Sequence, residues 1–228
     1  MIEIEQLKKS FSMDFEINIP NLFLPKGKNI AIIGNNGAGK TTLLELILDL
    51  KKSDEGRILI NADDNKKFIW KKITSSYLDE QFLIHFYTPK EYMKFCSVFY
   101  NQDFNLTLTR LKKYDDFFNF KYFNEKKLIR DYSKGNKQKI GILSTLVFES
   151  KLVILDEPFS HLDPGSKLLL GKILKENKST TNIVSTHNIG IISKTFDLVF
   201  LMDQGKIIGT FDLENNPKNT EQLYNFFR

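Results

Sequence analysis

The sequence predicts an α/β fold with an inserted helical segment, and three observations point to it. Short apolar runs such as Asn29–Ile33, Leu152–Leu155 and Leu198–Met202 have the length and composition of buried strands. The first of them runs straight into a glycine-rich turn and then into a largely apolar helical stretch. From Glu80 to about Ser150 the pattern becomes aromatic, lysine-rich and helical, before strand patterns return.

The elements follow in order. Ile2–Leu7 and Phe15–Ile19 alternate like half-buried strands, which gives a β-rich start. Asn29–Ile33 is the first buried strand, and Lys40–Leu50 the helix after its glycine turn. Arg57–Ile60 and Ile73–Leu78 are further strands. Thr88-Pro89-Lys90-Glu91 reads as a helix start, with Thr at the cap, Pro in the first turn and Glu placed to close a capping box. Strands return at Leu152–Leu155, Asn182–Ser185 and Leu198–Met202, and Asp203-Gln204-Gly205-Lys206 turns into a last strand, Ile207–Phe211. One domain with a helical insertion explains this order: a core over residues 1–79 and 151–228, and the insertion over 80–150.

Composition narrows the class. With 228 residues, 41% hydrophobic and 27% charged, the chain is an ordinary globular domain and not a disordered tail. Its single cysteine, Cys96, excludes an internal disulfide framework and a Cys-rich zinc site, and fits a reducing cytoplasm. The start, MIEIEQLKKSF, lacks the basic head and apolar core of a signal peptide. No apolar run approaches the roughly 18 residues of a membrane helix, so the expectation is a chain soluble by itself. A net charge of +5 permits an anionic partner such as a nucleotide, a nucleic acid or an anionic lipid face, although a solvated lysine-rich surface is the reading that the composition favours. Twenty phenylalanines, many between positions 82 and 123, supply either a generous aromatic core or a docking surface.

The strongest local signal is Gly34-Asn35-Asn36-Gly37-Ala38-Gly39-Lys40-Thr41, a G-x-x-x-x-G-K-[ST] match with the required strand before it and helix after it. Glycines let successive backbone N–H groups turn inward on phosphate oxygens, and the helix N-terminus adds partial positive charge. Lys40 then reaches the β- and γ-phosphates, and the Thr41 hydroxyl is a magnesium ligand; Thr42 completes the stretch assigned to the nucleotide. Leu152–Leu155 ends in Asp156-Glu157-Pro158. In a doubly wound sheet ligands bind at the carboxyl ends of strands, which places this pair beside the glycine loop. Asp156 suits a magnesium ion and Glu157 a general base for water. His187 follows Asn182–Ser185 at a third strand end, within reach of a γ-phosphate; His85 and His161 are read as structural.

With these residues in place, the sequence resembles the ATP-binding domain of ABC transporters over nearly all its length. Gly34–Thr41 corresponds to the Walker A motif and Leu152–Glu157 to Walker B. Tyr132-Ser133-Lys134-Gly135-Asn136-Lys137-Gln138 is similar to the family's signature, Ser160-His161-Leu162-Asp163 to its D-loop, and Ser185-Thr186-His187 to its switch-histidine segment. The resemblance implies a P-loop NTPase core of ABC type, with an N-terminal antiparallel β subdomain and an inserted helical subdomain. It also implies ATP and Mg²⁺ as cofactors, and a head-to-tail dimer in which Ser133 and Gly135 of one chain meet the nucleotide on the other, with Asp163 of the D-loop-like segment also assigned to nucleotide binding. Ser133 is equally a plain helix N-cap. The signature reads YSKGN where LSGGQ is commonest; Lys134 at that point resembles bacterial exporters whose membrane domain is a separate chain. Either Glu80 or Gln81 takes the Q-loop place near the metal, and Phe11 is either the adenine-stacking aromatic or an ordinary core residue.

The function so implied is an ATP-hydrolysing subunit that powers export through a separate transmembrane permease chain. It would sit in the cytoplasm, peripheral on the inner face of the membrane, with no nucleic acid expected as partner. The alternative is a soluble ABC-type ATPase acting on nucleic acid, the ribosome or a cofactor-assembly complex, which the positive charge weakly favours. A non-catalytic nucleotide sensor is disfavoured by the joint presence of Lys40, Asp156, Glu157 and His187.

Overall fold

A computed structural model describes residues 1–12, 15–216 and 219–226. The chain opens with two long strands, β1 (Ile2–Ser12) and β2 (Phe15–Leu24), paired antiparallel. Strand β3 (Asn29–Ile33) is buried at every position and leads through the glycine turn into α1 (Lys40–Ile47). Next come β4 (Glu55–Ile60), the two-residue β5 (Asp63–Asp64) and β6 (Thr74–Tyr77). The segment between β6 and β7 carries α2 (Pro89–Phe99), α3 (Phe104–Leu111) and α4 (Lys134–Leu146), with short 3-10 turns between them. Then follow β7 (Leu152–Asp156), α5 (Pro164–Glu176), β8 (Thr181–Thr186), α6 (Ile192–Thr195), β9 (Leu198–Asp203), β10 (Lys206–Asp212) and α7 (Asn219–Phe226).

Two sheets organise these elements. The first has the order β2-β1-β4-β5 and is antiparallel; the second has the order β10-β9-β3-β8-β7-β6. In the second, β9-β3-β8-β7-β6 run parallel and only the edge strand β10 is antiparallel. The parallel strands present alternate residues to two cores, as period-two side chains must. Ile30, Ile32, Leu152, Ile154 and Ile183 join α1 and the antiparallel sheet in one core. Ala31, Ile33, Val153, Leu155 and Val184 join the helices of the 80–150 segment and α5 in the other. Burial on both faces explains why these strands read as continuous apolar runs and not as alternating ones.

Local chemistry fixes the helix ends. Thr88 accepts from the Glu91 N–H while Glu91 reaches back to the Thr88 N–H, so the capping box forms as its sequence dictates. The helix expected over Lys40–Leu50 stops early: Leu48 caps it and Asp49 takes a left-handed φ of 54°. The aromatic residues divide. Phe117, Phe118, Phe123 and Phe148 are buried, whereas Phe82, Phe86, Phe95 and Phe99 are exposed, Phe86 and Phe99 by 68% each. Among the described residues no helix is long and apolar enough to cross a membrane.

Candidate functional site

The parallel strands β3, β7 and β8 deliver Gly34, Asp156 and Thr186 to one edge of the sheet, because their registers align Ile33 with Thr186 and Asp156 with Ser185. Immediately after β3 the chain curls through Gly34–Gly39. Gly39 has φ 102°, and an added Cβ would stand 2.6 Å from Ile17 Cδ1 and 3.2 Å from Phe15 Cζ, so a side chain here meets both strain and a collision. Phe15, Asn36, Gly37, Gly39, Lys40, Thr41, Thr42 and Glu157 line a cavity of about 410 Å³ over this turn. Within the loop, the Ala38 N–H donates to the Asn35 carbonyl at 3.1 Å.

Lys40 is 6% exposed, and its ammonium donates to the carbonyls of Gly34 (2.8 Å) and Asn35 (3.1 Å). A buried cation requires such partners, and the lysine is thereby held at the loop it serves. The Thr41 hydroxyl donates to Asp156 Oδ2 at 2.5 Å, and the Ser185 hydroxyl donates to Asp156 Oδ1. Burial pushes the Asp156 carboxyl above its ordinary value, while the bonds from Ser185 and Thr41 and the nearby Lys40 charge oppose that rise.

Glu157 has a left-handed φ of 44°, a conformation that costs of order 1–3 kcal/mol and persists only where surrounding contacts fix it. The fixation is visible. Its N–H donates to Ser185 Oγ at 2.9 Å, and its carbonyl accepts from the Ser160 N–H (3.1 Å), the Ser160 hydroxyl (3.0 Å) and the Gln138 amide (3.0 Å). Both carboxylate oxygens are shut off from solvent, and neither takes a well-aligned hydrogen bond among the described residues. Close nitrogens stand beside them: Lys40 Nζ lies 3.4 Å from Oε1 and His187 Nδ1 lies 2.9 Å from Oε2. Lys40, Glu157 and His187 thus form one chain of contacts across three strand ends.

Glu80 shares a second cavity, of about 290 Å³, with Asp156, Glu157, Lys134 and Gln138, and its Oε2 is a buried acceptor without a donor among the described residues. Gln81 is exposed and lines neither cavity; the Asp79 carboxylate takes its backbone N–H. Of the two Q-loop candidates, Glu80 is therefore the one that faces the acidic pair. Phe11 is 46% exposed and lies 6.0 Å, ring to ring, from Phe15, and it is Phe15 that lines the loop cavity. Ser133 caps α4 by accepting from the Asn136 N–H at 3.4 Å and is exposed, and neither it nor Gly135 lines the loop cavity. A Cβ on Gly135 would stand 2.6 Å from the His161 carbonyl, which sets α4 hard against the segment after β7. Asp163 caps α5, accepting from the Ser166 N–H at 2.9 Å and from its hydroxyl, bonds that hold its carboxyl down to about 2. Sequence reading missed Phe15 as a lining residue, and it placed Ser185 and Gln138 within motifs without giving them their contacts to Asp156 and Glu157. The signal for Phe15 lay in β1–β2 pairing, which folds the hairpin back over the loop.

A phosphate-type loop, a hydroxyl–carboxylate pair and a Glu–His contact gathered at strand ends of a doubly wound sheet define a P-loop nucleotide hydrolase. A protein-family model described as ABC transporter matches residues 17–160. The lantibiotic transport ATP-binding protein SrtF of Streptococcus pyogenes is 30% identical over 227 residues, covering 99% of this chain and 96% of its own. The bacitracin transport ATP-binding protein BcrA of Enterococcus faecalis is 28% identical over 233 residues, covering 99% and 74%. Among solved structures, an ATP binding subunit of an ABC transporter aligns with TM-score 0.82 at 23% identity, covering 94% of this chain and 91% of its own. The dimeric ATP-binding cassette MJ0796, in a post-hydrolysis state bound to ADP and Pi, aligns with TM-score 0.78 at 23% identity, covering 93% and 99%. These structural likenesses carry the fold. The chain belongs to the ABC transporter family, as an ATP-binding and ATP-hydrolysing subunit.

Proposed function

We propose that this chain hydrolyses ATP in a head-to-tail dimer to drive export through a separate transmembrane permease, docked on the cytoplasmic face of the membrane. The carrying observation is the contact chain from Lys40 through Glu157 to His187, beside the Thr41–Asp156 pair. Lys40 exchanges its loop carbonyls for β- and γ-phosphate oxygens, and the backbone N–H groups of Gly34–Thr41 take the remaining phosphate charge. Glu157 accepts the proton of the attacking water as its oxygen bonds to the γ-phosphorus and the bond to the ADP oxygen breaks. His187 holds the Glu157 carboxylate in line and faces the γ-phosphate. Phe15 offers its ring to the adenine, with the Phe11 ring 6.0 Å from it. Ser133 and Gly135, at the N-terminus of α4, complete the partner chain's site.

Mg²⁺ fits the donors present: a hydroxyl and a carboxylate oxygen 2.5 Å apart are hard oxygen ligands, and the orphaned Glu80 Oε2 borders the same acidic pair. Thr41 and Asp156 would hold it, with Glu80 nearby. When bound it neutralises charge on the β- and γ-phosphates.

The export direction is supported by the YSKGN signature and by similarity to proteins of lantibiotic and bacitracin transport. The exposed side chains of Phe82, Phe86, Phe95 and Phe99 in the helical segment support contact with a hydrophobic partner chain. The test is co-expression with a candidate permease, a polytopic chain sought in the neighbouring reading frames. Co-purification in detergent, with ATPase activity that the permease changes and Lys40→Ala abolishes, is the expected result. A chain that ignores the permease and instead binds RNA in a salt-sensitive manner would support the soluble alternative and end the transport reading.

A further inference from the structure

Three donors converge on the Glu157 carbonyl, and they differ in origin. Two come from Ser160, only three residues on, and belong to the local turn. The third, the Gln138 amide at 3.0 Å, comes from α4 in the helical segment. Gln138 is buried, 4% exposed, and sits in the second turn of the helix that begins with the signature residues. Ser185 meets the other side of the same residue: its hydroxyl accepts the Glu157 N–H while donating to Asp156. The residue so clamped is the one with φ 44°, the backbone turn that aims the carboxylate at Lys40 and His187.

A strained backbone is held only as long as its partners hold it. Ser185 and Ser160 belong to β8 and to the turn after β7, whereas Gln138 belongs to α4. The same helix start is tied to the segment after β7 by the Gly135–His161 close approach and by Lys139, 3.6 Å from Asp163. The orientation of α4 is thus read directly at the Glu157 peptide.

We propose that Gln138 is a positioning residue for ATP hydrolysis: its amide fixes the Glu157 backbone, so the set of the signature helix governs whether the water-activating carboxylate is aimed. The inference rests on the reading of Glu157 as the general base. Gln138→Met keeps length and apolar stem but removes the donor. It should lower kcat roughly 10- to 100-fold, the range in which a small misplacement of a reacting group acts, with KM for ATP and the ADP dissociation constant within about twofold of wild type. In a Glu157→Gln background, measured by single-turnover hydrolysis of labelled ATP, adding Gln138→Met should cause no further loss, because its effect passes through the missing carboxylate. If Gln138→Met does not fold, Gln138→Glu, which places an acceptor against the carbonyl, is read in the same way. Unchanged kcat in the single variant overturns the proposal, as does an equal loss in both backgrounds or a loss confined to ATP affinity. Near-normal turnover by Glu157→Gln alone would instead remove the base assignment, so the two failures are distinct.

Discussion

Gly205 joins the last hairpin to the phosphate loop, and replacing it by Ala probes that link. Its φ is 76°, and its N–H donates to the Ala38 carbonyl at 2.9 Å while its own carbonyl accepts from the Asn18 N–H at 2.9 Å. A Cβ at this position would lie 1.8 Å from the Glu16 carbonyl oxygen and 3.1 Å from Ile17 Cα, all of it backbone. The turn must therefore back away from β2 and release both bonds. Two net hydrogen bonds at about 1 kcal/mol each, plus about 1 kcal/mol for a Cβ at positive φ, give roughly 3 kcal/mol. For a chain of this size that corresponds to about 6–12 °C in Tm. Calorimetric or circular-dichroism melting measures it, and ATP titration of the same sample should show weakened binding, since Ala38 sits inside the loop. Gln204→Gly is the control: Gln204 is exposed at φ 43°, and glycine there removes strain, so the expected change is within about 1 kcal/mol. A Gly205→Ala protein that melts within about 2 °C of wild type and binds ATP normally would refute the reasoning.

Two further outcomes follow from the site and the helical segment. Lys40→Ala should weaken ATP binding by roughly two orders of magnitude or more, as expected when a buried charged partner of the phosphates is lost, with an unchanged far-ultraviolet spectrum; unchanged affinity in a titration calorimeter would remove the loop from phosphate binding. The buried Cys96 thiol is pushed up to about 12 by burial from an ordinary 9.0, so native protein at pH 8 should react slowly with a thiol reagent and unfolded protein fast. The native state holds that proton more tightly than the unfolded state, so this residue's contribution to stability is intact below about pH 9 and is lost as pH rises towards 12; denaturant melts of wild type and Cys96→Ser across that range check the sign.

Much of this architecture was legible because its signals are local. The glycine loop, the Thr88 capping box and the apolar strands each carry their reason within a few residues. The parallel register then brings the ends of β3, β7 and β8 together, as the strand-end rule requires. What escaped the sequence is what depends on pairing between distant segments. Phe15 sits in a plain alternating strand, and nothing in its neighbours shows that the hairpin closes over Gly39. Ser185 and Gln138 lie inside recognisable motifs, but nothing local shows that β8 and α4 set them against Asp156 and Glu157. The phenylalanines were ambiguous for the same reason: composition counts them, and only packing separates buried Phe117 from exposed Phe86.

The central claim is that Glu157 activates water for ATP bound on the Gly34–Thr41 loop, in a site completed by a second chain. Glu157→Gln keeps the side chain's shape but cannot accept the water's proton at neutral pH. Steady-state hydrolysis should fall by roughly two orders of magnitude or more, while Lys40, Thr41 and Asp156 still bind ATP with Mg²⁺. With turnover blocked, ATP linked to association should hold the dimer by mass action, so size exclusion in ATP should move the variant to dimer while wild type returns to monomer as ATP is consumed. Near-wild-type turnover by Glu157→Gln, with no ATP-dependent dimer, would contradict the account.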